Sequence, residues 1–282
     1  MQVKPRKLDF AFDASLPRYW YADDPFLTHF MHALSLTFPE GERMFMDAVR
    51  AVRDRVQDAS TRADIAGFLG QEALHSRAHD VLNEQIARWG YPAARLEQGV
   101  RQNIVDNRPQ HTKQSLLALT CALEHITAIM GHHLLSHPDL QADMHAAIRD
   151  LWIWHAVEET EHKAVAFDVY QEVYGSYATR VQWLWWSTIG LMSTVTVLQY
   201  YLLRRDGLAH KPSVWLKGAW RLWGPSGLLL PLVPAWLRYL RPDFHPWQTD
   251  DSSLIERHRE RFDQAALYTK KSGSSSLPGT HE

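Results

Sequence analysis

Apolar residues recur every three or four positions over most of the first 175 residues, which is the spacing of amphipathic helices. These series predict a helix that starts near Pro39 and runs to about Val56, and further helices at about 61–88 and 111–135. A fourth predicted helix contains the segment His155–His162. The polar stretch from about 91 to 110 is expected to connect opposite ends of a helical bundle. The pattern therefore predicts an all-α protein.

Carboxylates and imidazoles interrupt the apolar faces of these predicted helices. On a helix, His155, Glu159 and His162 follow i, i+4, i+7 spacing, and the same face continues apolar in both directions. An unpaired carboxylate buried at such a face is costly, so this density of inward-facing Glu and His indicates a bound metal ion. In chain order, the inward-facing residues are Glu42, Glu72 with His75, Glu124, and Glu159 with His162.

This order is that of a dinuclear carboxylate site in a four-helix bundle, in which two helices give one Glu and two give Glu-x-x-His. Residues 25–175 are therefore predicted to form a ferritin-like metal-binding bundle. Oxygen-rich ligands favour two ions of iron, with manganese or zinc as alternatives. The predicted roles are bridging or chelating for Glu72 and Glu159, terminal for Glu42 and Glu124, and binding of one metal each for His75 and His162.

Two histidines and one threonine extend the predicted site. His79 and His155 either coordinate a metal directly or hydrogen-bond to a ligand carboxylate. Thr127 lies one turn after Glu124, where it either steers oxygen or a proton at the metals or is an ordinary core residue. We include all three as site candidates, with Thr127 as the catalytic one.

Four other residues near the predicted ligands are not assigned to the metal site. Glu158 competes with Glu159 for the role of metal ligand because it can also pair with His162, but helical spacing places Glu159 on the apolar face and so favours it. Glu40 and Glu161 are expected to face solvent. The single cysteine, Cys121, is expected to be a buried small apolar residue.

Four segments resemble a bacterial family catalogued as predicted metal-dependent hydrolases, and they are 38–43, 70–76, 155–163 and 241–247. The ligand series is also similar to that of the ferritin-like di-iron proteins. The first resemblance implies two metals that activate water, and the second implies activation of oxygen. The ligand pattern favours a di-iron oxidoreductase of the oxygenase or desaturase type. A metal-dependent hydrolase is the alternative, and a non-catalytic iron-binding or membrane interaction module is the second alternative.

The region 176–250 is predicted to be an additional apolar, Trp-rich helical region. Its segment 181–203 carries no charge and is flanked by arginines, with Trp and Tyr clustered near both ends. It either packs along the bundle, lies at a homodimer seam, or contacts a membrane as a hairpin or monotopic attachment. This apolar surface suggests an apolar small-molecule, acyl or lipid-like substrate. Residues 1–24 are predicted to be an arm over the body, and 251–282 a charged helix with a disordered tail.

Composition limits the partners and the compartment. The 30 basic and 32 acidic residues give no electrostatic reason to expect nucleic acid. One cysteine fits a reducing compartment, and the first residues show no secretory signal pattern. The expected location is the cytoplasm or the cytoplasmic face of the inner membrane. The pattern does not identify the electron donor that an oxidoreductase would need.

Overall fold

The structure is a computed structural model that describes residues 3–13 and 15–273, and most of these residues are helical. Within these ranges there is no β-strand beyond an isolated bridge between Tyr21 and Met144, so the predicted all-α fold is confirmed. The helices are α1 (Pro25–Arg50), α2 (Ala59–Arg88), α3 (Ala93–Asn107), α4 (Lys113–Ser136), α5 (Pro138–Ala142), α6 (Ala146–His162), α7 (Val165–Val173), α8 (Tyr177–Arg205), α9 (Pro212–Trp223), α10 (Val233–Arg238) and α11 (Ser252–Gly273).

The helices α1, α2, α4 and α6 pack against one another in a closed ring of pairs. α1 contacts α2 and α4, and α6 contacts the same two helices from the other side. Apolar residues such as Phe30, Leu82 and Val157 fill part of the space between them. Their burial holds the four helices together, and the polar residues on the same inward faces are buried with them.

α1 begins earlier than predicted, because Pro39 lies inside the helix and not at its start. A proline inside a helix leaves the carbonyl four residues earlier without its N–H donor. Here that carbonyl belongs to Ser35, and the side-chain amide of Asn83 on α2 donates to it over 3.1 Å. The bond from α2 satisfies the free carbonyl and lets α1 continue through the proline to Arg50.

The predicted polar connection at 91–110 is wrong, because most of it is helix α3. Pro92 immediately precedes the first helical residue, where a fixed φ suits a helix start. Ala93, Leu96, Val100 and Ile104 follow helical spacing along α3, but the segment is polar on average and flanked by prolines, which favoured a connection in the sequence analysis. Contacts with α1 and α2 hold it against the bundle.

The N-terminal residues form an extended segment, which we call the arm, laid closely along α2. Gly67 and Gly70 permit this approach, since a Cβ atom at Gly67 would lie 2.2 Å from the carbonyl oxygen of Val3 and one at Gly70 2.4 Å from Pro5 Cγ. The close contact brings Arg6 into the interior, where it is almost fully buried.

The predicted apolar helix at 181–203 is present as α8, which packs against α1 and α4. Its buried residues, including Leu198 and Leu202, belong to the same core as the bundle. Across the residues that the structure describes, every helix is too short or too polar to cross a bilayer. The charged helix predicted near the C-terminus corresponds to α11, and the predicted tail after residue 273 lies outside the described residues.

Candidate metal centre

The four helices of the ring bring the predicted ligands into one buried cluster. Glu159 lies at its middle, and its Oε1 atom is 2.9 Å from His155 Nε2, 3.3 Å from His75 Nδ1 and 3.5 Å from His162 Nε2. Three groups of potential ligand atoms each lie within 4.8 Å of one another. They are Glu42 with His75 and His155, Glu72 with His75 and Glu159, and Glu72 with Glu124 and His162.

Two imidazoles turn one nitrogen outward to a fixed acceptor and the other nitrogen inward. His75 Nε2 lies 3.1 Å from Glu158 Oε2, and His162 Nδ1 lies 3.0 Å from Gln71 Oε1. The amide of Gln71 is oriented because its nitrogen donates to Glu161 Oε2 and to the Lys4 carbonyl. His75 Nδ1 and His162 Nε2 therefore face the carboxylates of the cluster. An outer acceptor of this kind fixes the tautomer and orientation of a metal-binding histidine.

A longer hydrogen-bonded chain fixes the third imidazole, that of His155. Ser35 Oγ donates to Asn83 Oδ1 over 2.7 Å and accepts from His79 Nδ1 over 2.9 Å. His79 Nε2 must then accept from His155 Nδ1, at 2.6 Å, which leaves His155 Nε2 with a lone pair directed at Glu159. Both ring nitrogens of His79 are engaged, so His79 supports His155 and has no nitrogen left for a metal.

The cluster contains a concentration of buried polar atoms that make no hydrogen bond, although some lie close together, as His162 Nε2 and Glu124 Oε2 do at 3.1 Å. Of thirteen such side-chain atoms in the described residues, seven belong to five residues of the cluster. Buried polar groups are normally hydrogen-bonded, so unpaired carboxylate oxygens and imidazole nitrogens that converge on one space fit bound cations. The five residues are Glu42, Glu72, His75, Glu124 and His162.

Burial and mutual proximity shift the pKa values of these groups in opposite directions. Burial raises the pKa of Glu42 to about 8 and that of Glu124 to about 7, and burial together with Glu124 raises the pKa of Glu72 well above its usual range. Burial also disfavours charge on Glu159, but the nearby His162 outweighs it and helps to hold the pKa of Glu159 well below normal. Burial lowers the pKa of His155 to about 4. Without a cation, the cluster therefore favours protonation of most of its carboxyl groups.

The structure separates Glu158 from Glu159 and corrects the prediction for Glu161. Glu159 lies inside the cluster, whereas Glu158 binds the outer nitrogen of His75. Glu161 was expected to face solvent, but it is buried and binds both Gln71 and Arg6. The prediction that Glu161 is exposed was wrong because the arm covers this side of α6. The predicted burial of Cys121 is confirmed.

Arg6 of the arm is a part of the site that sequence reasoning did not identify. Its guanidinium contacts both oxygens of Glu161, at 2.6 and 2.8 Å, and lies 3.3 Å from Glu158 Oε1. Asp263 on α11 accepts from Arg6 Nε at 2.6 Å. The two acids that orient Gln71 and His75 are thus themselves held by one arginine. The i, i+3 spacing of Glu158 and Glu161 was visible in the sequence, but nothing local links it to residue 6.

Two cavities reach the cluster, and Phe38 and Thr127 line both. The smaller, of about 70 Å³, is also lined by His155 and Glu159. The larger is a cleft of about 1100 Å³ between α1, α3, α4 and α8, and Glu42 lies on its wall. The Thr127 hydroxyl lies within hydrogen-bonding distance of two acceptors, Glu159 Oε2 and the Glu124 carbonyl, and it has one proton to donate between them. The candidate catalytic threonine therefore lies between the cluster and both cavities.

A comparison with models of protein families gave one match, which covers residues 4–250. The chain belongs to this family. Its description is predicted metal-dependent hydrolase, in agreement with the resemblance noted in the sequence. Comparisons with curated proteins and with solved structures gave no match.

Family membership supports a metal-dependent enzyme and corrects the predicted chemistry. The oxygen-activating di-iron oxidoreductase favoured by the ligand pattern is contradicted by the family description, which agrees with the hydrolase alternative. The error has a physical origin. Four carboxylates with several imidazoles hold two divalent ions equally well for either reaction, so the ligand set does not distinguish activation of oxygen from activation of water.

Proposed function

We propose that the protein is a hydrolase that uses two divalent metal ions to activate water against a substrate with an apolar, acyl-like part. One observation carries the proposal. Three imidazoles, each held by a partner at its outer nitrogen, direct their inner nitrogens at the shared carboxylate of Glu159. This preorganised, buried set of ligands occurs in a chain whose family is described as metal-dependent hydrolases.

The ligand atoms divide into two sites on either side of Glu159. Glu42 and His155 belong to one site, and Glu124 and His162 to the other. Glu72, His75 and Glu159 lie between them. Four carboxylates balance the charge of two divalent ions, which removes the cost of burying the acids without cations. Iron and manganese suit the oxygen-rich set, and zinc is the alternative.

Two adjacent divalent ions lower the pKa of water and polarise the bond to be hydrolysed. The residues around them position the ligands. Thr127 holds Glu159 with its hydroxyl, and Ser76 donates to one oxygen of Glu42 at 2.9 Å, which leaves the other oxygen for a metal. Glu42 also lines the cleft, so the metal site that it would complete opens towards an incoming substrate.

The cleft provides room for the apolar part of the substrate. Its volume of about 1100 Å³ exceeds that of most small-molecule pockets, and apolar side chains such as Phe45, Leu123 and Leu198 line much of it. Gly41 lies in its wall next to Glu42, and a Cβ atom there would meet no atom within 4 Å. A larger side chain at this position would therefore fill part of the cleft without disturbing the fold.

The test is hydrolysis under anaerobic conditions by protein loaded with iron, manganese or zinc. The substrates are p-nitrophenyl esters with acyl chains from acetyl to dodecanoyl, and the corresponding phosphate esters as a second class. We expect release of p-nitrophenol that depends on metal and is lost in Glu72→Gln, with long acyl chains preferred. Glu40→Ala is the control, because Glu40 pairs with Arg43 at the surface. A metal-loaded protein that hydrolyses none of these esters would contradict the proposal.

Two variants separate the role of the cleft from that of the metals. Gly41→Leu is expected to lower kcat/KM for the dodecanoyl ester at least tenfold while metal content and acetyl ester hydrolysis are retained. Thr127→Val is expected to lower kcat for all esters, whereas Thr127→Ser keeps the hydroxyl and most of the activity. Equal effects of Gly41→Leu on short and long chains would show that the cleft does not hold the acyl group.

A further inference from the structure

Large apolar side chains are exposed mainly in one part of the molecule. Among the described residues, eleven of the fourteen exposed large apolar side chains lie between positions 185 and 237. We call this set the aromatic face, because five of its members are Trp or Tyr. It consists of Trp185, Trp186, Ile189, Val197, Tyr201, Leu216, Trp220, Trp223, Leu230, Val233 and Leu237.

On α8 the exposed apolar residues share one side of the helix. At about 100° per residue, Trp185, Ile189 and Val197 fall within an arc of about 120°. Leu184, Leu198 and Leu202 point the other way into the core and are buried. α8 is therefore apolar on its outer side as well as its inner side, and Trp185, Ile189 and Val197 on this arc are each at least half exposed.

α9 carries the most exposed members of the aromatic face. Leu216 is 74% exposed and Trp220 is 70% exposed, and with Trp223 they form an i, i+4, i+7 stripe. The opposite side packs on α1, where a Cβ atom at Gly218 would meet the ring of Phe26 at 2.1 Å. Lys217 follows Leu216 directly and is exposed. A short helix with exposed Trp and Leu beside basic residues is typical of segments that lie in a membrane interface.

Ring contacts join the three helices of the face. Trp185 of α8 packs on Trp236 of α10 with centroids 4.6 Å apart, and Tyr200 lies 6.4 Å from Trp215 of α9. Trp185 and Tyr200 are fifteen positions apart, so they point in directions about 60° apart around α8. α9 and α10 therefore meet the same side of α8 at its two ends, and their exposed residues extend one surface.

The charge around the aromatic face is strongly basic. From 204 to 241 the sequence has seven Lys or Arg, all exposed, and one acid, Asp206. Two of the seven pair with acids outside this segment, Arg221 with Asp24 and Arg241 with Asp243. Asp206 is turned inward, where it accepts from Tyr91 and lies 2.7 Å from His29 Nε2. The seven basic residues are Arg204, Arg205, Lys211, Lys217, Arg221, Arg238 and Arg241.

We propose that the aromatic face docks on the surface of an anionic phospholipid bilayer, with α9 lying along the headgroups. Exposed Trp and Leu insert at the boundary between headgroups and acyl chains, and the surrounding Lys and Arg pair with anionic lipid. A second copy of the chain fits the aromatic face less well than a bilayer does. A twofold interface would bring the same basic residues together from both partners, and like charges across an interface oppose association.

The cleft opens on the same surface. Trp186, Val197 and Tyr201 belong to the aromatic face and also line the cleft. An apolar compound dissolved in the docked bilayer would reach the cleft without crossing water. The docking itself does not depend on the proposed hydrolase function, because it rests on exposed side chains and not on the metal cluster.

The test is cosedimentation of the full chain with vesicles, using phosphatidylglycerol mixed with phosphatidylcholine against phosphatidylcholine alone. We expect binding to the anionic vesicles that weakens with salt, and a blue shift of tryptophan fluorescence. The double variant Leu216→Ser with Trp220→Ser should lose at least tenfold in affinity, and Lys217→Glu several-fold. Val105→Ser is the matched control, since Val105 is also exposed but lies on α3. Circular dichroism and metal content verify that each variant is folded.

Two outcomes would overturn the proposal. One is wild-type protein that stays in the supernatant with anionic vesicles at low salt. The other is a wild-type dimer in solution that the double variant converts to a monomer while vesicle binding is equal in both, which would make the face a dimer seam. Binding by the control variant equal to wild type, with loss in the double variant, supports bilayer docking.

Discussion

His79 Nε2 and His155 Nδ1 lie 2.6 Å apart in the interior, and one proton between them determines which nitrogen of His155 faces the metal centre. His79 Nδ1 is committed to Ser35, so the shared proton stays on His155 Nδ1. Burial and the nearby His155 hold the pKa of His79 well below its usual range, which keeps it a neutral acceptor. His155 Nε2 is thereby kept as a lone pair beside Glu159.

His79→Ala is therefore expected to weaken metal binding without removing a ligand. Loss of such an outer partner costs about 10–100-fold in metal affinity, because the imidazole is no longer held in one tautomer and orientation. Competition with a chromophoric chelator measures the affinity, and metal analysis at saturating metal measures the stoichiometry. The stoichiometry should stay that of wild type in His79→Ala and fall in His155→Ala. Equal loss of stoichiometry in both variants would show that His79 is itself a ligand.

Glu161→Ala is expected to destabilise the protein although Glu161 makes no contact with the metal cluster. The substitution leaves Arg6 buried with fewer acceptors and leaves only the Lys4 carbonyl to orient the amide of Gln71. Breaking a buried ion pair costs several kcal/mol, and we expect about 3 kcal/mol here, because Glu158 and Asp263 remain near Arg6. Urea unfolding measures the change.

Glu40→Ala is the control for Glu161→Ala, because its pair with Arg43 lies at the surface and should contribute about 0–1 kcal/mol. A loss of stability in Glu161→Ala no larger than in this control would show that the arm does not hold α6. Arg6→Ala should repeat the effect of Glu161→Ala.

Helical spacing accounts for the part of the site that could be predicted from the sequence. Glu159 and His162 share a face because they are one turn apart, and the repeated Glu-x-x-His pattern identified the same geometry at Glu72 and His75. Arg6 could not be found this way, because it reaches the site from the arm. Ser35 and Asn83 share helix faces with Glu42 and His79, but the hydrogen bond between them joins two helices, and spacing along one helix does not predict such a contact.

The elements that were predicted wrongly failed for similar reasons. Pro39 indicated a helix start, but a bond from Asn83 to the Ser35 carbonyl lets the helix continue through it. α3 carries apolar residues at helical spacing from Ala93 to Ile104, but Pro92, Pro109 and the polar composition favoured a connection. Packing on α1 and α2 holds it as a helix. In both cases the prolines were given more weight than the apolar spacing and the packing around them. The reaction was misjudged because ligand identity constrains the metal more than it constrains the chemistry.

Glu72→Gln is expected to have opposite effects on stability with and without metal. Without metal, burial and Glu124 raise the pKa of Glu72, so glutamine imitates the protonated acid and should leave stability unchanged or higher. With metal, wild type gains stability by mass action, about 4 kcal/mol when free metal is a thousandfold above its Kd, and Glu72→Gln should gain much less. Melting curves with a chelator and with added metal compare the two states. A purely structural role for Glu72 predicts lower stability of the variant in both.

Acid should destabilise the protein partly through His32, which lies far along α1 from the metal cluster. Trp20 Nε1 donates to His32 Nε2 at 2.8 Å, and His32 Nδ1 faces His29, which lies against Asp206 and Tyr91 with Arg18 nearby. Burial and then His29 hold the pKa of His32 well below 6.5.

The direction of this pH effect follows from which state binds the proton. Below pH 6.5 the unfolded chain protonates this histidine and the folded protein does not, so the free energy of unfolding falls as pH drops below 6.5. A difference of one bound proton between the two states changes the free energy of unfolding by about 1.4 kcal/mol per pH unit. In metal-free protein between pH 6.5 and 5, His32→Phe should reduce this slope by up to one proton, measured by urea unfolding at several pH values. Trp20→Phe removes the same hydrogen bond but keeps the histidine, so it should lower stability at pH 7.5 and retain the wild-type slope. An unchanged slope in His32→Phe would mean that His32 accepts a proton in the folded protein, and the neutral chain from Trp20 to Asp206 would then be incorrect.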